Sequence, residues 1–176
     1  MAKRAAGLYV HADRGDEAAL AAELRARLVG TPADGSAAAP AATVNQVIWV
    51  DAGDEVLVHL DSIKVRLLAR AIVVSLDLET DQTGRAALIV TFSLGGARDQ
   101  AGLVATTDEL PHGNPLLAAR WGRVVQSALW SALMGYVNDH AAERGKEPQA
   151  IHVTPGRIQL KLQAPNVVAR TAKAKP

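Results

Sequence analysis

The chain reads as an α+β protein, a mostly antiparallel, strongly coiled β-sheet packed around one long apolar C-terminal helix, with a small N-terminal strand–helix arm. Three observations lead there. The stretch from Asn114 to Gly145 carries helix signals at both ends and apolar residues around most of its circumference. Between Val44 and Leu94 the apolar period drops to two, with turn residues separating the runs. An Ala- and Pro-rich stretch at 31–43 sets the first 30 residues apart from the rest of the chain.

The long helix is predicted from its ends inward. Asn114 can cap the first turn through its side-chain oxygen, and Pro115 sits where a missing N–H costs nothing. Gly145 accepts the left-handed conformation that closes a helix. Between these ends Trp121, Val125, Leu129, Trp130, Leu133, Met134 and Tyr136 point in nearly every direction. An amphipathic surface helix has one apolar stripe, so this one is expected to be covered on more than one side.

In the arm, Gly7 to His11 is a short apolar run suited to a strand. Asp13 then offers a helix cap with Asp16 behind it, and Leu20, Leu24 and Leu28 repeat every fourth residue up to Gly30. Glu23 and Arg27 have the spacing of a helical ion pair. Residues 31–43 are low in complexity and predict a linker or mobile loop.

The main domain is placed at 44–165. Val44–Val50 and Glu55–Asp61 flank the turn at 51–54 as a hairpin. From Ile63 to Glu79 the apolar phase slips around Leu68 to Ala71, which predicts one long strand with a bulge or bend. A turn at 81–84 leads to a returning strand in which Leu88, Val90, Phe92 and Leu94 alternate. After the long helix, Ala150–Val153 and Arg157–Gln163 form a last hairpin around Thr154-Pro155-Gly156. The total is about five to seven strands in a single layer with the helix. The tail at 166–176 is basic and expected to be disordered.

Composition removes several functions. With 19 basic and 18 acidic residues the net charge is +1, without the basic excess of a nucleic-acid binder. The chain has 0 cysteines, so disulfides, thiol nucleophiles and thiolate metal sites are excluded. No stretch has the roughly eighteen uninterrupted apolar residues of a membrane span, and the N-terminus lacks a signal-peptide core. A cytoplasmic location is the expectation, and the Ala, Arg and Gly usage is that of a GC-rich bacterial genome.

Signatures of catalysis are missing: no nucleophile elbow, P-loop, dinucleotide fingerprint or H-E-x-x-H stands in the sequence. His11 with Asp13, and His59 with Asp61, are spaced to project from one strand face as acid–base couples or metal ligands. The plainer reading puts both pairs on the wet side of a strand. Asp77, Glu79 and Asp81 alternate in the same way and read as the solvent side of their strand. No metal site, cofactor or catalytic residue is assigned. Arg120 and Arg123 lie early in the long helix, where the macrodipole favours negative charge, and with His112 upstream they can receive an anionic group. The plainer reading leaves them exposed in solvent.

A long helix, the bent strand Ile63 to Glu79 and its partner Ala86 to Leu94 together resemble, in outline, the tubular lipid-binding domains. That resemblance covers about half the chain and implies an apolar ligand cradled between helix and sheet.

The functional expectation is therefore a non-enzymatic protein that binds a hydrophobic or amphiphilic, lipid-like molecule between helix and sheet. Trp121, Val125, Leu129, Trp130, Leu133 and Met134 would line the site, with Val74, Leu76, Val90 and Phe92 opposite and Arg120 and Arg123 at an anionic headgroup. The alternative expectation is an oligomeric interaction or assembly module that uses the same helix as its interface to a copy or a protein partner.

Overall fold

A computed structural model describes residues 8–11, 16–29, 45–95, 101–103 and 110–165. The linker at 31–43, the capping residue Asp13 and the tail at 166–176 lie outside the described residues.

The fold is α+β with two antiparallel sheets. β2 (Gln46–Asp51), β3 (Asp54–Leu68), β4 (Ala71–Thr80) and β5 (Gly84–Ser93) form a consecutive meander, which the two-residue β6 (His112–Gly113) extends. β1 (Leu8–His11), β7 (Glu147–Thr154) and β8 (Arg157–Gln163) make a separate sheet in the order β1-β8-β7. α1 (Asp16–Val29) and α2 (Pro115–Ala142) are its helices.

The expectation of a strongly coiled sheet is corrected here, because the larger sheet is not strongly curled. The phase slip near Leu68 is no bend within one strand but a hairpin turn, where Ala69 and Arg70 join β3 to β4 and Leu68 pairs with Ala71. Arg70 takes a positive φ of 58° in that turn. No Gly, Asn or Pro marks it, so the sequence carried none of the usual turn signals. The true bulge lies earlier, between His59 and Lys64 of a single 15-residue strand. There the buried set changes from Val56, Val58 and Leu60 to Ile63, Val65 and Leu67, keeping one face on the core. Ser62 holds the bulge: its hydroxyl donates to the His59 carbonyl at 2.6 Å and accepts from the Asp77 N–H at 2.7 Å. The last hairpin forms as expected, with β7 pairing β8, but it lies outside the main sheet and takes β1 as its third strand.

Period-two patterning then does its ordinary work. In register across the sheet, Val65 opposes Val74, Leu67 opposes Ile72, Val74 opposes Val90 and Ile72 opposes Phe92. All of them are buried on one face. The other face holds Gln46, Ile48, Leu57, Asp77 and Ile89. Burial of the inner face is the main driving force, at about 1.5–3 kcal/mol for each large side chain removed from water.

α2 begins and ends as its sequence predicts. The Asn114 Oδ1 accepts from the N–H groups of Leu116 and Leu117 at 3.0 and 3.3 Å. Gly145 has φ +61°, and the Lys146 N–H returns to the Ala141 carbonyl at 2.9 Å. Gly113 is required just before it, because a Cβ there would lie 2.2 Å from the Ala87 carbonyl oxygen. The helix is covered on several sides, by α1, β5, β6 and β7.

The arm joins the same core. Leu20, Leu24 and Leu28 are buried, and α1 packs on β3 and α2. Its two leading carboxylates cap strand amides: the Leu67 N–H donates to Glu17 at 2.7 Å and the Ile158 N–H to the buried Asp16 at 2.8 Å. Arg25 donates to the Leu60 carbonyl at 2.9 Å, and the Glu23–Arg27 pair forms at 3.5 Å.

Candidate cleft at the start of the long helix

In a meander, alternate turns lie at the same end of the sheet. The β2–β3 turn and the β4–β5 turn therefore sit together, and the first turns of α2 pass beside them. The space between is a cleft of about 630 Å³ lined by Gly53, Asp54, Glu55, Thr80 to Thr83, and Leu116 to Trp121 except Ala118.

Local sequence shapes each wall. Ala52 and Gly53, at φ 50° and 86°, make the mirror-image two-residue turn that matches strand twist. Asp51 and Asp54 face each other across it. At the second tip the Thr80 hydroxyl accepts from the Thr83 N–H at 3.2 Å and lies 2.9 Å from the Thr83 hydroxyl, with Gly84 at φ +62° closing the turn. On the helix, Trp121 is buried beneath the rim while Leu116 is 60% exposed beside it.

Arg120 ties the two sides together. Its Nε donates to the Asp54 carboxylate at 2.6 Å and its Nη1 to that of Asp51 at 2.7 Å. Its Nη2 donates to the Asp51 carbonyl. The guanidinium also lies 4.6 Å from the centroid of the Trp121 ring, a cation–π distance. Hydrogen bonds to Asp54 and then Asp51 hold its pKa above the ordinary arginine value. The charge that the sequence offers to an anionic headgroup is thus engaged by two carboxylates of the chain itself. Across the cleft lining, three carboxylates (Asp54, Glu55, Asp81) stand against one guanidinium, so the rim is acidic.

The remaining expected site residues lie elsewhere. Val125, Leu129 and Leu133 of α2, and Val74, Leu76, Val90 and Phe92 of the sheet, are together in the hydrophobic core with 0–1% exposure. Side chains fill the space between helix and sheet at these positions. Trp130 and Met134 are half-buried at the margin of that core, and the Trp130 ring lies 5.3 Å from Phe92. Arg123 is exposed. Along α2 the exposed residues Ala119, Arg123, Ser127, Ser131 and Asn138 form a narrow stripe of small and polar groups.

The histidine pairs resolve differently. His59 stands on the outer face, opposite Gln46 and Asp77, yet it is only 3% exposed there. Its Nδ1 lies 3.1 Å from the Gln46 amide nitrogen and its Nε2 2.8 Å from the Glu79 carboxylate. With Gln46 donating to Nδ1, the ring proton sits on Nε2 and points to Glu79. Asp61, its expected partner, is exposed. The His11–Asp13 pair falls partly outside the described residues. Asp77 is bound by Arg85 at 2.8 Å. Among the described residues no group of three or more His, Asp or Glu is placed to hold a metal ion. No described helix is long and apolar enough to cross a membrane.

Sequence reasoning passed over Gly53 to Glu55 and Thr80 to Thr83 because each reads as an ordinary turn. Their meeting at one end depends on the reversal at Ala69 and Arg70, which no turn residue marks, so the sequence alone did not bring them together. No protein-family model, curated protein or solved structure matches this chain.

Proposed function

We propose that the protein is a non-enzymatic binding protein that takes an amphiphilic small molecule in the cleft at the start of α2. The observation that carries this reading is the composition of the cleft. Its volume of about 630 Å³ suits a small organic ligand, and the exposed Leu116, backed by the buried Leu117 and Trp121, supplies an apolar wall beside a rim of carboxylates. The lipid-like ligand expected between helix and sheet is thereby moved to the mouth of the helix, since the interior is occupied by packed side chains. The polar end of the ligand is cationic. Asp51 and Asp54 share Arg120 between them, while Glu55 and Asp81 have no ion-pair partner among the described residues. An alkyl chain against Leu116, which is 60% exposed, and an ammonium group beside Glu55 and Asp81 satisfies both halves.

The test is calorimetric titration of the purified protein with hexyltrimethylammonium and, in parallel, with hexanoate. Saturable binding of the cation alone is expected, weakened about two- to tenfold by Glu55→Gln with Asp81→Asn. Equal binding of both probes, or of neither, would remove this reading. Native mass spectrometry of freshly purified protein, followed by organic extraction, then identifies the natural occupant.

A further inference from the structure

We propose that β2 is the dimerisation edge of this protein, pairing antiparallel with β2 of a second copy about a twofold axis at Ile48. The inference is independent of the cleft.

β2 ends the larger sheet, and among the described residues no strand lies beyond it. The hairpin determines which of its backbone groups face that open side. Asp51 and Asp54 flank a two-residue turn, so they form a hydrogen-bonded pair, and pairing alternates from there. Trp49 with Val56 and Val47 with Val58 are therefore bonded pairs, and the N–H and C=O groups of Gln46, Ile48 and Val50 point away from β3.

The same three residues project from the outer face of the sheet, where Ile48 is 62% and Val50 44% exposed. Natural edge strands are usually protected by lysine, proline or an inward charge. The strand QVIWVD has none of these, and its only charged residue, Asp51, is engaged by Arg120.

The occupant is a second copy because the strand is complementary to itself. Pairing centred on Ile48 places Ile48 opposite its own copy and Gln46 opposite Val50 of the partner. Each of these pairs exchanges two backbone hydrogen bonds, which uses every outward N–H and C=O from Gln46 to Val50. No like charges meet along the contact, and the Ile48 side chains cover one another. On the inner side Trp49 comes opposite Val47. A contact between single strands is small, so the dimer belongs to the weak, concentration-dependent class.

Sedimentation velocity of the full chain across about 1–500 µM tests this, with hydrogen exchange at both extremes. The expected result is a shift from the 18.5 kDa monomer toward twice that mass as concentration rises. Exchange supplies the diagnostic pattern. Val47 and Trp49 amides, bonded to β3, are protected at every concentration, whereas Gln46, Ile48 and Val50 gain protection only where the dimer forms. Ile48→Lys sets two charges against each other at the twofold and should weaken association on the order of tenfold or more. Ile89→Lys alters an outward residue of β5, 39% exposed and away from the edge, and should leave association unchanged. Both positions are exposed, so circular dichroism should report an intact fold. A monomer at all concentrations, outward amides already protected at 1 µM, or a dimer indifferent to Ile48→Lys would each overturn the proposal.

Discussion

Leu129→Ala decides whether the space between α2 and the sheet is solid core or ligand site. Leu129 is 0% exposed and stands one turn from Val125 and Leu133, both equally enclosed. The substitution deletes three carbon groups, at about 0.8 kcal/mol each, for a transfer loss of about 2.4 kcal/mol. A cavity left among side chains that relax only partly raises the total to about 3–5 kcal/mol. In a domain of this size each kcal/mol moves the melting temperature by about 2–4 °C, so a fall of at least about 6 °C is expected. Urea unfolding followed by circular dichroism measures the loss directly, with the slope unchanged if the native state stays compact. Ser127→Ala, two residues away on the exposed stripe, should stay within about 0.5 kcal/mol. A loss below about 1 kcal/mol at Leu129, with an unchanged slope, would refute the filled core and return the ligand to the helix–sheet interface.

Other consequences arise from single contacts. Asp16→Ala leaves the buried Ile158 N–H without its acceptor and should cost about 1–3 kcal/mol, whereas Asp16→Asn keeps an acceptor oxygen and should recover part of that in the same urea assay. Gly113→Ala forces a side chain to φ +142° and against the Ala87 carbonyl, so a loss of at least about 1–3 kcal/mol is expected, with weakened protection of the Leu88 and Ile89 amides. The Tyr136 phenol is held above its ordinary value of 10.0 by burial first, and then by the charges of Asp16 and Glu23. The unfolded chain therefore releases this proton before the folded one does. Stability is fully present below about pH 10 and declines as pH rises toward the folded value, and Tyr136→Phe should flatten that alkaline decline in urea midpoints.

Much of the fold was legible because its signals are local. Asn114, Pro115 and Gly145 bracket α2 through capping chemistry that depends on neighbouring residues only. The alternation from Leu88 to Phe92 and the leucines of α1 declare their buried faces by period alone. Where the local signal failed, a long-range contact had taken its place. Arg70 turns the chain without a turn residue because the turn is held from outside: its N–H donates to the Val153 carbonyl at 2.9 Å, and its own carbonyl accepts from Leu94 at 2.9 Å. A phase slip has the same appearance in sequence whether it marks a bulge or a reversal. The slip at His59–Ile63 is the bulge and the one at Leu68–Ala71 is the reversal, and only pairing distinguishes them.

The candidate site divides in the same way. Trp121 and Arg120 could be picked out from the helix, but not the residues they meet. Arg120 binds Asp51 and Asp54 from 69 and 66 residues away, and that pairing determines its charge environment.

By itself the sequence determined which residues are apolar, where the long helix begins and ends, which strands alternate, and that no thiol chemistry is possible. These are properties of short range, set by backbone geometry and by the side chain's preference for or against water. The tertiary structure alone decided that the long helix packs against α1, β5, β6 and β7, that the last hairpin leaves the main sheet, and that among the described residues no strand lies beyond β2. Those outcomes depend on which surfaces meet, and complementary surfaces are assembled from residues far apart along the chain.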